Sequence, residues 1–91
     1  MNILKNNEFL GFMDPKIDRV GRIFIIKDVV LKRELENDEW DRVLGRIEEF
    51  ARFHNAKAIQ VIKTESAKIQ RTLLRHGFSE SKKGGLLLNF N

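Results

Sequence analysis

Apolar residues recur at spacings of three and four between positions 40 and 54, and this pattern is the strongest structural signal in the chain. They are Trp40, Val43, Leu44, Ile47, Phe50, Ala51 and His54. The spacing places them on one face of an α-helix, which Asn37 or Asp38 can cap. Trp40 and Phe50 are predicted to be core residues. A chain of 91 residues organised around such a helix has room for one domain.

Two extended segments are predicted before this helix. Residues 8–13 form a short apolar run that is expected to end at a turn over residues 14–16, where Pro15 restricts the backbone. Residues 22–32 are rich in Ile and Val, and Lys27 and Asp28 interrupt their alternation. A β-bulge at that point explains the interruption.

A strand, a second helix and two further extended segments are predicted after it. Residues 58–63 indicate a buried strand. Ser66 can cap a helix that Gly77 ends, and residues 78–80 and 86–90 are extended. The residues of this helix expected to face inward are Ile69, Leu73 and Leu74. The order ββαβαβ predicts an α/β (α+β) fold over residues 1–91: a small mixed, mostly antiparallel sheet with two helices.

Several classes of protein are excluded by composition. The chain has no Cys, which excludes a disulfide framework, thiol catalysis and Cys-rich zinc sites. His54 and His76 lie at predicted helix ends, where structural roles are expected. No run of 18 apolar residues occurs and the first residues lack an apolar signal core. We therefore expect a soluble, cytoplasmic protein with no membrane partner.

Charge is distributed unevenly, since residues 1–33, 34–49 and 50–91 carry net charges of +3, −5 and +6. The acids that fall between the second strand and the first helix are Glu34, Glu36, Asp38, Glu39 and Asp41. Of two interpretations, the first is expected, and no metal site is assigned. Carboxylates near a helix start complement its dipole and face solvent, and a cluster of carboxylates is also the ligand type that hard divalent cations prefer.

Basic residues recur along the second helix. Lys68, Arg71 and Arg75 share one helical face by their spacing of three and four, and Lys63, Lys82 and Lys83 are near in sequence. This face is either solvated or makes weak, non-specific contact with nucleic acid. Phe12 and Phe24, the candidate stacking residues, are both predicted to be buried, so a base-stacking platform is not expected.

Two short segments resemble the GNAT superfamily of general-control-type N-acetyltransferases. Residues 26–32 (IKDVVLK) look like the bulged strand that precedes the acetyl-CoA loop of that family, and residues 73–78 (LLRHGF) resemble its helix ending in Gly-Phe. The resemblance covers residues 9 to 90 and implies acetyl-CoA as cofactor. It also implies that the backbone of Val29, Val30 and Leu31 follows the pantetheine arm, with Arg33, Asn37 and Arg42 near the pyrophosphate.

The chain departs from the family pattern at three places. The family's amino-terminal strand and two helices, which build much of the acceptor side, have no counterpart. Glu36 stands where the family has the Arg or Gln of its loop motif, and Glu39 and Asp41 stand at the two glycines. Leu73 stands where many members carry the Tyr that protonates the departing thiolate, so no catalytic residue is assigned.

Two functions are compatible with this pattern. The resemblance implies acetyl-CoA-dependent N-acetyl transfer to an amine, with a degraded cofactor loop. The alternative is a non-catalytic GNAT-like interaction module that binds protein or nucleic acid. The missing cover of the sheet also predicts a homodimer, unless Ile3 and Leu4 fold back as a surrogate strand that leaves the protein monomeric.

Overall fold

A computed structural model describes residues 2–5, 8–64, 66–82 and 84–90 of the chain, and six strands in these residues form one sheet. The elements in chain order are β1 (Asn2–Lys5), β2 (Glu8–Asp18), β3 (Ile23–Leu31), α1 (Asn37–Phe53), β4 (Ala58–Val61), α2 (Ala67–Arg75), β5 (Ser79–Glu80) and β6 (Leu86–Asn89). The spatial order of the strands is β1-β2-β3-β4-β6-β5. The predicted mixed α+β architecture with two helices is confirmed.

All neighbouring strands are antiparallel except β3 and β4, which run parallel at the centre of the sheet. Val29 makes a further parallel bridge to Thr64 beyond the end of β4. Along the β2 and β3 pair, Asp14 alone stands opposite both Lys27 and Asp28. The β-bulge predicted at these two residues is therefore confirmed, and it restores the inward position of Val29.

The strand predicted to end at Met13 is longer than expected, and the turn predicted over residues 14–16 is wrong. β2 continues to Asp18. The turn comes after this residue, and there the Asp18 Oδ1 accepts the N–H groups of Val20 and Gly21. Pro15 is accommodated because it lies beside the bulge, in a part of β2 that β1 does not pair with. Proline is tolerated at such edge positions since no partner strand needs its N–H.

Both helices pack on the same face of the sheet. The Phe50 ring of α1 meets the Phe24 ring of β3 edge-on at 5.5 Å. Ile69 and Leu73 of α2 belong to the same buried cluster as Phe24. The Ser66 cap of α2 is confirmed, since its Oγ accepts the Ile69 N–H at 3.2 Å. Neither helix among the described residues is long and apolar enough to cross a membrane.

Three predictions of burial are wrong. Phe12 is 43% exposed, because it lies on the face of the sheet opposite the helices, beside Val30. Leu74 lies outside the inward face of α2 and is 38% exposed. Phe50 touches Phe24 with one edge but leaves 38% of its surface exposed. Trp40, in contrast, is buried as predicted.

The sheet face that carries Phe12 is not covered by either helix. Its apolar side chains are Phe12, Ile23, Ile25, Val30 and Leu87, as the strand registers and the buried positions between them show. Ile3 and Leu4 lie in β1. This strand is the surrogate strand that the sequence analysis gave as an alternative. β1 covers an edge and leaves this face open.

Because β1 covers the edge that was expected to be bare, the edge is no longer a ground for a homodimer. Homodimerisation stays a prediction that rests on the open face alone. We expect sedimentation at tens of micromolar to give about twice the chain mass of 10.7 kDa, because a twofold axis lets one apolar patch bury itself. Phe12→Glu should return the mass to that of one chain, whereas Val20→Glu in the exposed turn should leave the dimer intact. A wild-type mass near 10.7 kDa would contradict the prediction.

Candidate functional site

Arg33 is held by carboxylates at the loop between β3 and α1. Its Nη1 and Nη2 donate to the two carboxylate oxygens of Glu39 at 3.0 and 2.8 Å, and its Nε donates to Glu8 at 3.1 Å. Hydrogen bonds to Glu39 and then Glu8 raise the pKa of Arg33 above its ordinary value. Neutral pH lies far below the ordinary pKa of an arginine, so the stability that Arg33 gains from these carboxylates is fully present there.

Glu39 is 4% exposed and is the one buried charged residue among those described. Besides the pair with Arg33, its carboxylate accepts the backbone N–H of Glu36 at 2.9 Å. Glu36 is the N-cap residue of α1 and forms a capping box with Glu39. The predicted caps Asn37 and Asp38 are therefore wrong: both lie within the first turn of the helix.

This arrangement places the protein's own anions at the amino end of α1. Free N–H groups at a helix start bind phosphate because the helix dipole favours negative charge there. Here the Glu36 carboxylate accepts the N–H of Glu39 in the first turn, while the Glu39 carboxylate accepts the N–H of Glu36 and neutralises Arg33. The solvent-facing role expected for the acidic segment does not hold for Glu39. Among the described residues, no group of three or more His, Asp or Glu side chains is placed to hold a metal ion.

The six residues that the resemblance implies for cofactor binding lie at the end of β3, in the loop after it and on α1. Val29 is buried and bridged to Thr64, while Val30 and Leu31 stand opposite Phe12 and Gly11 in the register with β2. Of the other three, Arg33 is paired with Glu39. Asn37 is exposed in the first turn of α1, and Arg42 lies further along that helix.

The two histidines occupy helix ends, as predicted. The His54 ring lies 4.6 Å from the Phe50 ring and 5.3 Å from the Phe53 ring. His76 Nδ1 lies 3.3 Å from Asp41 Oδ1, which connects the end of α2 to the start of α1. Sequence reasoning missed this pair because its members are far apart in the chain and no local pattern joins them.

The basic face of α2 is partly neutralised. Lys68 Nζ lies 2.7 Å from Glu34 Oε2, while Arg71 and Arg75 are exposed. Lys83 lies outside the described residues. Weak, salt-sensitive contact with nucleic acid through this face stays a prediction, and two exposed arginines offer phosphate contacts without a stacking platform.

A groove of about 980 Å³ runs between α1 and the first two strands. Its apolar lining consists of Ile3, Leu4, Leu10, Met13, Val43, Ile47, Phe50 and Phe53. Leu4 is 58% exposed and Phe53 is 83% exposed, so the apolar surface continues to the rim. Arg42, Arg46 and Glu49 also line the groove. The sequence pattern did not predict this site. Phe50 looks like part of the helix face that packs on the core, and Phe53 looks like part of a solvated helix end.

Comparison with known proteins gives no match to a protein-family model, to a curated protein or to a solved structure.

Proposed function

We propose that this protein is a non-catalytic, GNAT-like module whose function is to bind another protein. The observation that carries the proposal is the groove beside α1, where three large apolar side chains, Leu4, Phe50 and Phe53, are exposed together. Clustered apolar exposure of this kind marks interaction surfaces in proteins that otherwise bury such residues. Aromatic side chains are also the residues that most often dominate binding energy at protein interfaces.

The GNAT-like part of the proposal is supported by the bulge at Lys27 and Asp28 and by the elements that come after it. The bulged strand leads through a short loop into α1, in the order that the resemblance implies. The same loop supports a non-catalytic function. An incoming diphosphate would meet Glu36, Glu39 and Asp41, at a cost on the order of 0.5 to 3 kcal/mol per charge pair.

Acetyl-CoA-dependent N-acetyl transfer is the second candidate, and the bulged strand with the loop after it favours this activity. In that case the backbone of residues 29–31 would hold the pantetheine arm, and Arg33 would have to leave Glu39 to reach the pyrophosphate. The Tyr position of the family is Leu73, which is buried in the core. No described residue is thereby assigned as the general acid of the reaction.

Calorimetric titration with acetyl-CoA separates the two candidates. We expect a dissociation constant weaker than about 100 μM, which corresponds to about 5.5 kcal/mol, because carboxylates occupy the amino end of α1. Glu36→Arg combined with Asp41→Gly should strengthen binding while keeping the structural Glu39. Glu49→Arg, on the same helix but away from the loop, is the control and should change little. A wild-type constant in the low micromolar range would overturn the non-catalytic proposal.

A further inference from the structure

The helix layer of this fold leaves a groove beside α1, above β1 and β2, at which Leu4 is exposed while Ile3, Leu10 and Met13 are buried. Neighbouring strands are about 4.8 Å apart and packed helices are about 8 to 10 Å apart, so one helix covers about two strands. α1 covers β3, as the Phe50 and Phe24 contact shows, and α2 packs beside it above the strands on the far side. Among the described residues no helix lies above β1 and β2, and the groove occupies that place.

The dimensions of the groove match a helix. Its α1 wall runs from Glu39 to Phe53, and the apolar part of that wall runs from Val43 to Phe53. At 1.5 Å per residue the apolar part is about 15 Å long, or about three turns. Its floor is formed by Ile3, Leu10 and Met13 of the first two strands, which are buried apolar residues. An amphipathic helix lying antiparallel or parallel to α1 would place its apolar face against Leu4, Phe50 and Phe53, the exposed apolar residues of the groove, as helices do in other grooves of this type.

The charges along the wall are arranged in order. Arg42 and Arg46 lie one turn apart toward the start of α1, and Phe50 and Phe53 lie toward its end. Neither arginine makes an ion pair with the described residues, unlike Arg33 and Arg52, which are both paired. Glu39, which is paired with Arg33, and Glu49, which lies beside Phe50, line the same wall. Arg42 and Arg46 therefore form a cationic stretch between Glu39 and the aromatic end of the groove.

We infer that this groove binds an amphipathic α-helix of another protein, with an apolar face of about three turns and acidic residues at one end. The inference rests on the proposed function and names the partner of the same site. The apolar face packs against Leu4, Phe50 and Phe53, and the acidic end pairs with Arg42 and Arg46. Phe53 is the anchor at the other end, because it is 83% exposed beside Leu4.

Two synthetic helical peptides with the same leucine face test the inference. One carries Glu and the other carries Lys at the flanking positions of one end. Binding is followed by backbone amide shifts of the labelled protein. We expect the Glu peptide to shift residues 42–53 and 3–4 and to bind at least tenfold more tightly than the Lys peptide. Arg42→Glu with Arg46→Glu should reverse that order.

Variants at two exposed phenylalanines provide the matched control. Phe53→Ala should weaken binding of the Glu peptide at least tenfold, while Phe12→Ala, on the opposite face of the sheet, should leave it unchanged. The thermal unfolding midpoint of each variant verifies that it is folded. The two positions lie on opposite faces of the sheet. Loss of stability would weaken peptide binding by both variants, whereas loss of a groove contact would weaken binding by Phe53→Ala alone.

Several results would overturn the inference. These are equal affinity for the two peptides, no shifts with either peptide at millimolar concentration, or shifts confined to the open sheet face. A dimer that Phe53→Glu dissociates and Phe12→Glu does not would assign the groove to a second copy of this chain. The acetyl-CoA titration is independent of the peptide experiment. Tight binding of acetyl-CoA rejects the non-catalytic function. If neither peptide causes amide shifts and acetyl-CoA does not bind, only this partner is rejected.

Discussion

Phe24→Ala is expected to lower the free energy of unfolding by about 3 to 5 kcal/mol, the range for removing a buried aromatic ring. Phe24 has no exposed surface and lies on β3, between the long β2 and the parallel partner β4. Its loss leaves a cavity beneath α1 and removes the edge-on contact with Phe50. Since domains of this size are stable by about 5 to 15 kcal/mol, urea denaturation should show a large shift of the midpoint.

Phe53→Ala is the control for this measurement. It is the same change at a site on α1 that is 83% exposed, and exposed substitutions usually alter stability by less than about 0.5 kcal/mol. If both variants lost equal stability, the assignment of Phe24 to the core and of Phe53 to the groove rim would be wrong.

Glu39→Ala is expected to cost about 2 to 3 kcal/mol of unfolding free energy, combining a hydrogen bond to a charged group with a helix cap. The buried carboxylate holds the Glu36 N–H and both terminal nitrogens of Arg33. The variant removes the Glu39 half of the capping box and separates Arg33 from its main partner. Chemical denaturation at neutral pH measures the effect.

Glu49→Ala is the matched control, since it removes an exposed carboxylate from the same helix. It should change the unfolding free energy by less than about 0.5 kcal/mol. A loss below about 0.5 kcal/mol for Glu39→Ala would contradict the role assigned to the Glu39 carboxylate. Glu39→Gln serves as a second variant, because it keeps the shape and the acceptor oxygen and should recover part of the loss.

Local patterns in the sequence predicted the elements whose causes are local. The helix over residues 37–53 follows from its spacing of three and four, and the cap at Ser66 follows from its own hydroxyl. The bulge at residues 27–28 was predicted because an inserted residue disturbs the alternation of the strand itself. These features need no knowledge of which strands are neighbours.

Features that depend on distant partners were not predictable in this way. Pro15 looked like a turn because nothing in the sequence shows that β1 stops short of it. Phe12 looked buried because its exposure depends on the side of the sheet that the helices occupy. The groove followed the same rule, since Leu4 and Phe53 become neighbours only when β1 joins β2 and α1 lies beside them.

The parallel pairing of β3 with β4 has a consequence for the order of folding. Strands β1 to β3 pair with their neighbours in sequence, and β4, α2, β5 and β6 form a second local unit. The pairing of residues 23–26 with residues 58–61 joins these halves. Closing the long loop between the two strands carries an entropic cost. Each half can build its own hairpins quickly, while the joining step sets the rate and the cooperativity of the whole chain.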